Sequence, residues 1–210
     1  FDVVLFGDVL EHLRDPLSVL RKFRDVLVPG GFVVVSAPNI AHVDVRLALL
    51  EGQFEYRDLG LLDRTHLRFF TRNSLERLLV DAGFLPIEHR RVVVQLFCTE
   101  IGANADLPRE VVETALQDPE ALTYQFVIKA AVDDGDHATR HLADRCRELE
   151  DELYARSREV AELTDQLQRV EPQLAHAEVA LERYQRELVA LRGTRLVRYM
   201  NAYRRVILRK

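Results

Sequence analysis

FDVVLFGDVLEHLRDPLSVLRKFRDVLVPGGFVVVSAPN, residues 1 to 39, decides the architecture of what surrounds it. Val3 to Phe6 and Phe32 to Val35 are short, continuously apolar runs bounded by glycine or proline, the pattern of strands buried in a parallel sheet. Between them Asp15-Pro16 offers an N-cap and a first-turn proline. Leu17, Leu20, Phe23 and Leu27 then form an apolar stripe, and Pro29-Gly30-Gly31 ends the helix. A strand, helix, strand crossover of this length is one βαβ unit with parallel neighbouring strands, so the expected fold class is α/β.

Downstream, Arg72 to Gly83 reads as a helix with Asn73 or Ser74 near its cap and Gly83 at its stop. Phe84 to Phe97 and Thr123 to Val132 read as strands, with a short helix over Pro108 to Gln117 between them. With no long helix separating them, these two strands are expected to form an antiparallel closing pair at a sheet edge.

Beyond residue 132 the hydrophobic period changes. Steps of three and four give a seam from Leu142, Cys146, Leu149 and Leu153 to Leu188 and Leu191, in which only Arg156 is neither apolar nor semi-apolar. A pattern sustained over about seven heptads specifies a left-handed coiled coil, ~75 Å long, with a kink expected at Pro172. Charge divides the chain in the same way: residues 1–132 carry a net −5, residues 133–191 a net −7, and residues 192–210 seven basic groups and no acid. Three regions are therefore expected, at 1–132, 133–191 and 192–210. The last places Leu196, Val197, Met200, Tyr203 and Ile207 on one helical side among arginines, as suits an anionic membrane surface or an acidic partner.

The overall net charge of −5 and the few stacking aromatics of the tail give no case for nucleic-acid binding. Cys98 and Cys146 lack CxxC spacing, which argues against a disulfide framework or a zinc site and for a reducing, cytoplasmic setting. No apolar run approaches the ~20 residues of a membrane span, and the first residues lack the marks of a signal peptide. The chain begins with Phe1 and not methionine, which leads us to expect further sequence upstream.

Gly7-Asp8-Val9-Leu10-Glu11-His12 follows the first strand, and Ser36-Ala37-Pro38-Asn39 ends the second, so both lie where open α/β sheets bind ligands. Together with their spacing, residues 1–39 resemble the fourth through fifth strands of class I S-adenosylmethionine-dependent methyltransferases. The likeness continues through DRTHLRFFT, residues 63–71, and LERLLVDAGF, residues 75–84, and covers roughly residues 1–132. It implies part of a Rossmann-like, seven-stranded sheet whose last strand is antiparallel. It also implies a glycine-rich loop after the first strand and an acid after the second. Neither is in this sequence, so strands one to three are expected upstream of Phe1, and this stretch alone is expected to be inactive.

By the same resemblance the cofactor is S-adenosylmethionine, with Asp8 and Val9 against it, Glu11 and His12 at the reaction centre, and Asn39 and His66 at the acceptor. Methyl transfer needs alignment, and a general base where the nucleophile is a hydroxyl, a role for which imidazole is suited. No metal ligand is assigned. Glu11 and His12 have an alternative as caps of the coming helix, and His66 as a loop anchor; His42 is expected in solvent, and Phe54 and Tyr56 over the substrate or simply packed. The expected function is O-methylation of a small molecule or glycan, with homo-oligomerisation through residues 142–191 and peripheral membrane contact through residues 192–210. The rival is a non-catalytic, methyltransferase-like scaffold that dimerises through the rod.

Overall fold

A computed structural model of the chain describes all residues except 103–106, 194–197, 201 and 205–210. Four strands form one sheet in the order β1 (Val3–Gly7), β2 (Phe32–Pro38), β4 (Thr123–Val132), β3 (Phe84–Val93). β1 and β2 are parallel, while β4 runs antiparallel to both β2 and β3. The expected closing pair is therefore present, with its last strand inserted between β2 and β3.

Helix α1 (Pro16–Arg24) crosses from β1 to β2, capped by Asp15, whose carboxylate accepts from the Ser18 amide at 3.0 Å. It ends before Leu27, which lies in the following turn and packs on the core from there. Phe6, Leu20, Val33, Val35, Leu75, Leu79, Phe84, Phe126 and Ile128 bury the interior between sheet, α1 and α3 (Arg72–Asp81). The cap of α3 is Thr71 and not Asn73 or Ser74. Thr71 Oγ1 accepts from the Ser74 amide, while Ser74 Oγ accepts from the Thr71 amide at 2.8 Å, so a serine completes a reciprocal box from the third helical position.

β3 stops at Val93, short of Phe97, because its partner β4 begins at Thr123 and offers only Leu122 beyond it, to Val94. A further helix, α2 (Val43–Leu50), has no counterpart in the sequence reading. His42 caps it, accepting from the Asp44 amide, and its Nε2 lies 3.0 Å from the Val94 carbonyl. His42 is fully buried, which corrects the expectation of a solvated side chain. The short helix α4 (Arg109–Leu116) covers α2.

α5 (His137–Gly193) carries Pro172 within its length. The chain divides into two compact units, Phe1–Ala155 and Arg156–Lys210, a division that falls inside α5. Within the first unit an ion-pair network anchors the root of α5. Asp151 pairs with Arg72 and Arg91, which also meet Glu120, and Arg91 lies over the Tyr154 ring. Ala143 is buried on this side, whereas Leu142, Leu149 and Leu153 of the seam stay exposed. In the second unit the seam residues from Val160 to Leu191 are likewise exposed. No described helix is long and apolar enough to cross a membrane. Most of the basic tail lies outside the described residues; of its apolar side, Met200 and Tyr203 are described and exposed.

Candidate active site

The chain leaves β1 through Asp8, whose φ of 51° is uncommon for a residue with a side chain. Three contacts hold that turn. The Asp8 amide donates to Ser36 Oγ at 3.1 Å, Ser36 Oγ donates back to Asp8 Oδ1 at 3.0 Å, and Gln125 Nε2 donates to the same carboxylate. The sheet itself thus positions Asp8 through β2 and β4. Asp8 and Val9 are both exposed at the carboxyl end of β1.

Immediately after this turn, Leu10–His12 makes one 3-10 turn. Its buried Leu10 anchors the segment in the core. The Glu11 carbonyl accepts from the amides of Leu67 and Arg68 at 2.7 and 2.9 Å, which ties the 57–70 segment to the strand end. This pairing brings His66 beside His12, with ring centroids 4.9 Å apart and edge to face. One ligand-type atom each of Glu11, His12 and His66 lies within 4.8 Å of the others.

Their environments differ. Glu11 is 1% exposed and neither carboxylate oxygen has a hydrogen-bond partner; burial pushes its carboxyl above the usual range. His66 is half-buried, and burial lowers its pKa despite a hydrogen bond to the Leu61 carbonyl. His12 is exposed, with Nδ1 3.2 Å from both the carbonyl and the hydroxyl oxygen of Thr65. Phe69, Phe54 and Tyr56 extend the group from His66 through edge-to-face and tilted contacts, with centroids 5.6 to 6.5 Å apart.

An unpartnered buried carboxylate beside two imidazoles can take a proton relay or hold a divalent cation, with Glu11, His12 and His66 as the ligands. The sequence reading named these three residues separately and assigned no metal ligand, because pairing Glu11 with residue 66 needs the contact between segments 55 positions apart. Asn39 stands elsewhere: it is fully buried, its Nδ2 donates to the Thr123 carbonyl at 2.8 Å and to that of Glu120, and its Oδ1 accepts from the Ala41 amide. Its amide is spent on the chain's own backbone, so it braces the β2–α2 turn and offers nothing to an acceptor.

Residues 1–89, which contain every member of this site, match a family model described as a methyltransferase domain. Over this segment the chain is similar to methyltransferase domains. Relatives of the same segment include proteins named ubiquinone biosynthesis O-methyltransferase. The one from Ruegeria pomeroyi is 37% identical over 93 residues, 44% of this chain and 38% of the relative. That from Psychrobacter arcticus is 36% identical over 84 residues, 40% of this chain and 33% of the relative. The chain therefore spans well under half the length of these relatives. A solved SAM-dependent methyltransferase from Thermotoga maritima aligns over 64% of this chain and 56% of its own, at 19% identity and a TM-score of 0.39.

Proposed function

We propose that this chain carries the acceptor-side part of an S-adenosylmethionine-dependent O-methyltransferase acting on a small-molecule or glycan hydroxyl, and that α5 joins copies of it through its apolar seam. The observation that carries the reading is His12, exposed and backed by Thr65, standing with Glu11 and His66 at the carboxyl end of β1. Asp8 and Val9 fit one wall for the cofactor, because both are exposed at that strand end and the strained Asp8 turn is fixed from two neighbouring strands. When bound, that group supplies a methyl on a sulfonium and leaves as a neutral thioether.

The chain's own part is alignment and proton transfer. As the acceptor oxygen forms its bond to the methyl carbon, its proton passes to the free ring nitrogen of His12. Glu11, buried beside it, stabilises the imidazolium that results. Phe54, Tyr56 and Phe69 keep water from this face and suit a flat acceptor ring. That supports an aromatic, quinone-type hydroxyl among the small molecules, in line with the name the relatives carry.

Homo-oligomerisation is supported by the root of α5, which grips its own unit through Ala143, Asp151 and Tyr154 while its seam residues Leu142, Leu149 and Leu153 remain uncovered. The basic tail adds peripheral contact with an anionic membrane surface.

The test is transfer of a labelled methyl group from S-adenosylmethionine by the full-length gene product to a panel of catechol-type and sugar hydroxyls. Transfer to oxygen that disappears in His12→Gln supports the reading. Absence of transfer to every hydroxyl, in a protein that folds, removes it in favour of the non-catalytic scaffold.

A further inference from the structure

Asp63 has no part in the chemistry above, yet the direction of its hydrogen bonds with Thr65 bears on the state of His12. The Thr65 carbonyl can only accept, and it lies 3.2 Å from His12 Nδ1, so the proton of that contact belongs to the ring. The Thr65 hydroxyl has one hydrogen and gives it to Asp63 Oδ1 at 2.6 Å. The same carboxylate oxygen also accepts from the Thr65 amide at 2.7 Å. With its hydrogen committed to a charged acceptor, the Thr65 oxygen can meet His12 Nδ1, again at 3.2 Å, only as a second acceptor. The two Thr65 hydrogen bonds hold the Asp63 carboxyl below its usual range, in keeping with its role as their acceptor.

We propose that Asp63 and Thr65 are positioning residues that hold His12 as the Nδ1–H tautomer, leaving the Nε2 lone pair free for an acceptor hydroxyl. This rests on the reading of His12 as the general base and specifies which of its nitrogens acts. The relay orients the ring in the way that outer hydrogen-bond partners orient imidazole at other reaction centres. It also couples the base to the 57–70 segment: the turn that leads into His66 is the turn that sets His12.

The direct readout is the nitrogen-15 chemical shifts of the His12 ring in the full chain at pH 8, assigned by the signal missing from His12→Gln. The expected native spectrum has a pyrrole-type Nδ1 and a pyridine-type Nε2. Thr65→Ser should keep it. Thr65→Val and Asp63→Ala should move both nitrogens toward averaged values and slow kcat about tenfold with KM little changed. A native ring with its pyridine-type nitrogen at Nδ1, or shifts unmoved in both disruptive variants, overturns the proposal. Because the spectrum needs no turnover, the expected tautomer in a protein without methyl transfer supports the relay and removes only the reading of His12 as a base.

Discussion

Thr65 presents two oxygens to a single nitrogen of His12, its carbonyl and its hydroxyl each 3.2 Å from Nδ1. The ring is therefore held from outside the strand it follows. Because His12 is exposed and fills no part of the core, His12→Gln should leave the unfolding midpoint nearly unchanged. The same substitution should slow methyl transfer by at least about 100-fold, the usual contribution of a general base. Parallel thermal melts and transfer rates check both halves of that statement.

Glu11 carries the opposite expectation for stability. Its carboxylate is buried with neither oxygen bonded, so Glu11→Gln removes a desolvated acid without opening a cavity. Denaturant titration should show the variant as stable as the native protein or more stable by about 1 kcal/mol. Methyl transfer should fall in the same variant. Millimolar manganese should raise the melting midpoint of the native protein and not that of Glu11→Gln, if the three ligand-type groups close around a cation.

Acid sensitivity should come from the other end of the sheet. Burial pushes the Glu76 carboxyl up, but the His89 ring and the Arg72 guanidinium, 3.1 and 2.7 Å away, outweigh it and hold the group at about 2. A carboxylate depressed in this way stabilises the fold fully above its unfolded value of 4.5, and that stability is lost as the pH falls from there toward 2. Unfolding free energy measured against pH should decline over that window, and Glu76→Gln should flatten the decline. Arg91→Ala, which strips Glu120 and Asp151 of a shared partner, should cost on the order of 3 kcal/mol and raise amide exchange in residues 143–155.

The seam of α5 makes a further prediction. Leu163 and Leu167 are exposed on the described part of α5, at 55% and 61%. Sedimentation equilibrium should show an oligomer for the native protein and a monomer for Leu163→Glu/Leu167→Glu, with the Phe1–Ala155 unit still folded by circular dichroism. A native monomer at high micromolar concentration would remove the oligomer from the account.

Elements with a strong local signal were legible in the sequence. β1, α1, β2 and β4 follow from apolar runs, the Asp15-Pro16 start and glycine stops, and the β4 range matches residue for residue. α2 was not legible because its stretch, VDVRLALL, sets Asp44 and Arg46 among apolar residues without the periodicity that marks an amphipathic helix; it is buried on one side by Leu61, Leu62 and Ile101 and on the other by α4. The burial of His42 and Asn39 was missed for the same reason, since both serve the β2–α2 turn. At the site, Glu11, His12 and His66 could be singled out from their position and their resemblance to a family. Their mutual distance could not, because it depends on the Glu11 carbonyl bonding to Leu67 and Arg68. Asp63 and Thr65 lie in the family-like stretch 63–71, yet nothing there marks their hydrogen bonds to each other and to His12: a hydroxyl and an acid two residues apart read as an ordinary turn.

Calorimetric titration of S-adenosylhomocysteine into the full-length gene product tests the central claim most directly. The expected result is stoichiometric binding that weakens when Asp8, the proposed cofactor wall, is replaced by alanine and that is indifferent to His12→Gln. No heat of binding to a folded full-length protein would contradict the methyltransferase reading and leave Glu11, His12 and His66 as parts of a scaffold.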